Sequence, residues 1–116
     1  MRIMNSSGST IGYVEGNYVM NSSRSTIGRL SGDTVMSSSG STIGYVRNGY
    51  VTNSSGSTIA RYSDSAIMSS SGSTRFRLGS NTIMSSSGST LYRLDQDIRS
   101  NLKGVVAWVV FFSGEW

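Results

Sequence analysis

The chain of 116 residues contains no cysteine and no histidine, and Lys103 is its single lysine. Without cysteine, neither a disulfide nor a thiolate metal site can form, and the redox compartment is left open. Without histidine, a serine nucleophile lacks its usual base, so the many serines are better explained as turn residues that hydrogen-bond to nearby backbone groups. We therefore expect no enzymatic activity and no cofactor.

Long apolar segments and acidic clusters are also scarce. The longest apolar run, 105–112, is far shorter than the roughly 20 residues of a membrane helix, and no apolar signal segment follows Met1. The default expectation is a soluble, cytoplasmic protein without a membrane span. Among the six acidic residues only Asp95 and Asp97 lie close together, which favours helix capping over metal binding.

One five-residue motif organises the chain. Ser-Ser-Gly-Ser-Thr begins at Ser6, and it or a close variant returns every 16 residues, so that six copies fill the segment 1–98. The apolar share of 36% is low enough to suggest disorder, but the apolar residues occupy fixed phases of the repeat. A short fixed period is typical of folds in which one small unit is copied until neighbours bury each other's apolar side.

Each repeat has the pattern of a β-hairpin, with two short β-prone runs separated by turn residues. The Ser-Ser-Gly turn suits a three-residue loop whose last residue is left-handed, and Arg24 stands there where the other five copies have glycine. We also expect three residues in the second turn, as in Glu15-Gly16-Asn17. The sequence therefore predicts an all-β chain of tandem 16-residue hairpins, arranged radially or as a closed meander of twelve strands.

Loops of equal, odd length determine which side chains share a face of the sheet. On this basis Ile3, Ile11 and their repeats share one face with the row Tyr13, Arg29, Tyr45, Arg61, Arg77 and Arg93. The opposite face collects Met4, Val14 and their repeats. A ring of twelve strands has a backbone radius of roughly 12 Å, more than isoleucine and valine can fill. Another segment must therefore enter the centre, or the ring must pucker.

The segment 99–116 departs from the repeat and is rich in valine and aromatic residues. Asp95 or Asp97 is placed to cap a helix here, although the valines also fit a strand. We expect this apolar helix or strand to pack on or into the array as part of one domain, with Trp108 buried as a central plug. Alternatively, its aromatic side chains form the contact of a homo-oligomer.

The pattern x-Ser-Ser-Gly-x-Thr-Ile-Gly-x-Val, as in Asn5–Val14 and Ser37–Val46, is followed by an aromatic, apolar C-terminus. Together these features resemble the five-fold β-flower proteins of Bacteroidetes, and the likeness covers nearly the whole chain. The resemblance implies short hairpins arranged radially as petals about an axis, with no established activity and no functional residues to transfer. Five complete hairpins agree with five-fold geometry, whereas the sixth Ser-Ser-Gly copy departs from it.

Two groups of residues are candidates for ligand binding. The first group belongs to the row above and consists of Tyr13, Arg29, Tyr45 and Arg61. These side chains would form a rim that binds phosphates or stacks on bases. Alternatively, they are a solvated surface in which the arginine stems cover isoleucine side chains. The last two repeats place large side chains where earlier repeats have glycine, and the residues concerned are Arg75, Phe76, Arg77, Tyr92 and Arg93. These either pack against the C-terminal segment or form a one-sided ligand patch.

The sequence identifies no reaction and no ligand. It supports a non-catalytic structural or interaction module that acts through its surface or by self-association. The alternative is binding of nucleic acid or another anionic ligand through the Arg/Tyr rim. The formal net charge of +4 is compatible with both, because the ten basic residues are spread along the chain.

Overall fold

The computed structural model describes all residues, 1–116, and contains twelve short strands followed by a helical C-terminal segment. The strands are β1 (Arg2–Asn5), β2 (Thr10–Glu15), β3 (Tyr18–Asn21), β4 (Thr26–Ser31), β5 (Thr34–Ser37), β6 (Thr42–Arg47), β7 (Tyr50–Asn53), β8 (Thr58–Tyr62), β9 (Ala66–Ser69), β10 (Thr74–Leu78), β11 (Thr82–Ser85) and β12 (Thr90–Leu94). The helical segment comprises a 3₁₀ turn (Ile98–Asn101), α1 (Leu102–Ala107) and a π-helical turn (Trp108–Phe112). None of these helical elements has the length and apolar character that a membrane-spanning helix requires.

Each strand pairs antiparallel with its neighbours in the chain, and β12 pairs with β1, so the meander closes into a barrel. Closure leaves no unpaired sheet edge. The predicted all-β fold of tandem hairpins with a short apolar C-terminal helix is confirmed, and its arrangement is the closed meander.

The Ser-Ser-Gly connections lie at one end of the barrel and have the predicted geometry. Gly8 has a φ of 91°, and its N–H donates to the Asn5 carbonyl at 3.0 Å. Arg24 adopts the same left-handed conformation with a φ of 69°. The Asn5 side-chain oxygen accepts hydrogen bonds from the backbone N–H groups of Ser7 and Ser9 at 3.1 and 3.0 Å, which satisfies donors inside the turn.

The connections at the other end are shorter than predicted. Glu15 pairs with Tyr18, so the turn is the two residues Gly16-Asn17, and the expected three-residue loop was wrong. Asn48 and Gly49 form the equivalent turn in the third repeat, and both have positive φ, 53° and 84°. Two central residues with positive φ are typical of the type I′ turn, whose twist matches that of the flanking strands.

The predicted distribution of side chains between the two faces was also wrong, because every Ser-Ser-Gly hairpin contains a β-bulge. Ile3 pairs with Gly12 and Met4 pairs with Thr10, which leaves Ile11 as an extra residue, and the same shift recurs in the other five hairpins. One extra residue moves the following side chains to the opposite face. Ile3 and its repeats therefore lie inside with the Val14 phase, and Met4 and its repeats lie outside with the Tyr13 phase.

The C-terminal segment fills the inside of the barrel, and Trp108 is only 4% exposed. The interior positions that pair with Ile3 and its repeats run from small to large around the barrel, as Gly12, Gly28, Gly44, Ala60, Phe76 and Tyr92. Aromatic rings of the segment lie over the glycines: a Cβ at Gly28 would be 2.2 Å from Cζ of Phe112. The helical segment therefore occupies the space that the strand side chains leave empty.

Polar contacts attach the start of the helical segment to the end of the barrel with the two-residue turns. Asp97 caps the 3₁₀ turn by accepting a hydrogen bond from the Arg99 N–H at 2.9 Å. The Asn101 amide donates to the Gly16 carbonyl at 3.2 Å, and Lys103 forms an ion pair with Asp33. The segment thus enters at this end and runs towards the Ser-Ser-Gly end.

Candidate functional site

The outer face of the barrel carries an extended array of basic and aromatic side chains. We call its six equivalent positions, one on each even-numbered strand, the outer row: Tyr13, Arg29, Tyr45, Arg61, Arg77 and Arg93. Successive members are two strands apart, about 10 Å. Four of the six, all arginines, are exposed, and the two tyrosines are partly exposed. The row forms a band at one level around the barrel.

Two further tyrosines extend the outer row. Tyr18 pairs with Arg29 and Tyr50 pairs with Arg61, and the two guanidinium groups lie 5.9 and 5.7 Å from the tyrosine ring centroids. Tyr18 is 48% and Tyr50 is 46% exposed, the highest values among the large hydrophobic side chains. Sequence reasoning missed both tyrosines. The sequence contained one signal that could have identified them. Tyr18 and Tyr50 are separated by two repeats, which is also the separation between Arg29 and Arg61.

The arginines of the outer row have no carboxylate partners. Glu15 bonds instead to Arg24 at 2.9 Å, and this hydrogen bond, followed by that from the chain's amino terminus, lowers the pKa of Glu15. The hydrogen bond from the Arg99 side chain likewise lowers the pKa of Asp97, and Asp33 pairs with Lys103. The acids that form ion pairs are therefore engaged with cations other than the arginines of the outer row.

The second predicted group, Arg75, Phe76, Arg77, Tyr92 and Arg93, is divided between the inside and the outside of the barrel. Phe76 is 5% exposed and stacks on Trp116 with a centroid distance of 6.2 Å. Tyr92 meets Trp108 edge to face at 4.9 Å, and burial raises the pKa of the Tyr92 hydroxyl. Both aromatic rings thus pack against the C-terminal segment, which is one of the two alternatives drawn from the sequence.

The three arginines of this second group stay exposed. Arg75 occupies the bulge of its hairpin, where its guanidinium lies 4.3 Å from the Trp116 ring centroid and donates to the Trp116 carbonyl at 3.1 Å. Arg77 and Arg93 belong to the outer row. The five residues therefore do not share one surface, but Arg77 and Arg93 share theirs with Arg61.

Two small clefts lie at the end of the barrel with the two-residue turns. The larger, about 360 Å³, is lined mainly by polar groups that include Glu15, Asn17, Gln96 and Ser100. The smaller, about 220 Å³, lies beside Asp64 and Arg99. No group of three acidic side chains comes close enough to hold a metal ion.

Comparison with protein families identifies one family whose model, described as "5-fold beta-flower protein", matches residues 1–113. Comparisons with curated proteins and with solved structures gave no significant match. No function is known for that family. Five turns close the hairpins at one end of this barrel, and β12 and β1 complete the ring by pairing directly. Because the match spans nearly the whole chain, the protein belongs to the 5-fold beta-flower family.

Proposed function

We propose that the protein is a non-catalytic interaction module that binds an anionic partner through the outer row. The observation that carries this proposal is the band of exposed arginines, which has no carboxylate partner in the structure. Guanidinium groups bind phosphate and carboxylate in a planar, bidentate manner and are weakly hydrated, so their desolvation on binding costs less than that of lysine.

The distribution of the other side chains supports an outward-facing site. The inside of the barrel is occupied by a single apolar cluster of strand residues and the C-terminal segment, with no buried polar or charged residue. The two clefts are small, and Glu15, the acid that lines the larger one, is held by the amino terminus and Arg24. The outer face offers much the larger area for contact with a partner.

The test is a binding titration of the full chain with inorganic polyphosphate and with heparin at about 50 mM and about 200 mM salt. We expect binding that weakens steeply with salt, because each neutralised anionic group releases counterions. Neutral dextran is the control for attraction that does not depend on charge. Absence of binding to every polyanion at the lower salt concentration would contradict the proposal.

A second candidate function is self-association through the Ser-Ser-Gly end of the barrel. Phe111, Phe112 and Trp116 pack against the core but remain partly exposed there. Sedimentation equilibrium of the full chain over a range of protein concentrations tests this. A species that stays monomeric at the highest concentration excludes it, whereas an oligomer that persists in high salt indicates an apolar contact.

A further inference from the structure

The outer row is not uniform around the barrel. On β3 and β7 the partners of Arg29 and Arg61 are tyrosines, which cover one side of each guanidinium group. On β9 and β11 the equivalent positions hold Ala66 and Thr82, opposite Arg77 and Arg93 respectively. Arg77 and Arg93 consequently neither stack on an aromatic ring nor form an ion pair, and their guanidinium groups are free for a ligand.

This difference creates a directional strip over six adjacent strands, β7 to β12. It begins at the exposed ring of Tyr50 and continues through Arg61, Arg77 and Arg93, with successive arginines about 10 Å apart. Small side chains and methionines lie between the arginines. An aromatic platform followed by a line of arginines is the combination with which proteins hold a single-stranded nucleic acid, because bases stack on rings while phosphates bind guanidinium groups.

We propose that the anionic partner is a single-stranded nucleic acid, which lies across β7–β12 with a base on Tyr50 and its phosphates on Arg61, Arg77 and Arg93. This inference rests on the proposed function and names the class of ligand for the same face. Arg61 now lies over the Tyr50 ring at 5.7 Å, and it would move to a phosphate when a base takes that place. A ligand without bases would leave Tyr50 unused.

The shape of the barrel favours a single strand over a duplex. The outer row follows a closed, convex surface on a molecule that measures 36 × 34 × 22 Å. A duplex is also a stiff convex cylinder, with a persistence length of about 150 base pairs, so it would touch this surface over only a short arc. A flexible single strand can follow the arc and reach all three arginines.

The decisive experiment compares two charge-matched double variants by fluorescence anisotropy with a labelled oligothymidylate. Arg77→Gln with Arg93→Gln removes two charges from the strip, and Arg24→Gln with Arg29→Gln removes two from the opposite side of the barrel, on and beside β4. For three phosphate contacts the slope of log K against log salt is about −2, which weakens binding roughly 20-fold between about 50 and 200 mM salt. We expect the first variant to reduce the slope to about −0.7 and the second to leave it nearly unchanged.

A third variant separates recognition of bases from attraction of charge. Tyr50→Thr places there the residue that the chain itself has at the equivalent positions 34 and 82. We expect it to weaken oligothymidylate binding roughly 10-fold and to leave polyphosphate binding unchanged, because stacking on a ring requires a base. Tyr18→Thr, on the opposite side of the barrel, is the matched control and should have little effect on either ligand.

The possible outcomes distinguish the two proposals. Equal losses in both double variants would show that binding is spread over the whole surface, and this would overturn the strip. Binding of polyphosphate as tight as that of the oligonucleotide, with no effect of Tyr50→Thr, would leave an anionic partner but refute a nucleic acid. Preference for duplex over single strand would also refute the inference, and failure of all polyanions to bind would remove both proposals.

Discussion

The substitution Gly28→Ala tests directly whether the C-terminal segment lies inside the barrel. An added Cβ would lie 2.2, 2.6 and 3.1 Å from the Cζ, Cε1 and Cε2 atoms of Phe112, whereas non-bonded carbon atoms prefer about 3.5–4.0 Å. The ring must therefore move by more than about 1 Å. Overpacking of this kind typically costs about 1–3 kcal/mol, against a gain of about 0.5–1 kcal/mol from replacing a glycine inside a strand. We expect a net destabilisation of about 1–2 kcal/mol.

The same substitution should have the opposite effect in a Phe112→Leu background. Leucine lacks the three ring atoms that approach Gly28, so the clash disappears and only the gain from losing a strand glycine remains. Gly28→Ala should then stabilise the protein by about 0.5–1 kcal/mol, which gives a coupling energy of about 2 kcal/mol in the double-mutant cycle. Urea unfolding followed by far-UV circular dichroism measures all four proteins, provided that the m-value stays constant.

Gly44 provides a control in which rescue should be incomplete. An added Cβ there would lie 2.4 Å from Cζ of Phe111, which leucine lacks, but also 2.4 Å from the Thr52 carbonyl oxygen, which belongs to the neighbouring strand. Phe111→Leu should therefore recover only part of the loss caused by Gly44→Ala. If Gly28→Ala destabilises the protein equally with phenylalanine and with leucine at position 112, the Phe112 ring does not lie over Gly28 and our account of the interior is wrong.

Three further predictions concern the core, the turns and pH. Trp108→Ala should lower the free energy of unfolding by about 3–5 kcal/mol, because the Trp108 side chain is buried. In a Trp116→Phe background, the fluorescence emission of Trp108 should be blue-shifted and poorly quenched by iodide. A red-shifted, readily quenched emission would place this ring in water. Gly40→Ala should lower the free energy of unfolding by about 1 kcal/mol, because alanine is strained at the φ of 90° that Gly40 adopts. The new Cβ would meet no atom within 4 Å, so no steric clash adds to this loss. An unchanged melting temperature would argue against a left-handed turn. Arg24→Gly relieves a similar backbone strain but loses the ion pair with Glu15. The pKa of Glu15 in the folded protein lies below the ordinary value of 4.5. The ion pair therefore stabilises the parent above pH 4.5, and this stabilisation is lost as the pH falls through the lowered pKa. Thermal melts should therefore show the glycine variant close to the parent at pH 7 and more stable than the parent once the pH has fallen below the lowered pKa of Glu15, and a variant that is less stable in acid would contradict the assignment.

Local features of the sequence were sufficient to predict the strands and the Ser-Ser-Gly turn of the repeat unit. The 16-residue period placed the twelve strands, and the Ser-Ser-Gly turn required a left-handed third residue, which Arg24 adopts although it is not glycine. These features depend on a few neighbouring residues, because a turn's conformation is set largely by the φ angles that its own residues tolerate. The resemblance to the β-flower family likewise rested on the motif and its spacing, and the match over residues 1–113 confirms it.

The tertiary structure decided which side chains face inwards. A bulge at Ile11 and its repeats, together with the two-residue second turns, moved Ile3 to the face of Val14 and Met4 to that of Tyr13. A bulge bends its strand and increases the local twist, and here it brings Val14 and its repeats to the inner face of the closed barrel beside Ile3. The positions of Phe76 and Tyr92 were undecided because both depend on the distant residues Trp116 and Trp108, which reach them only once the C-terminal segment has entered the barrel.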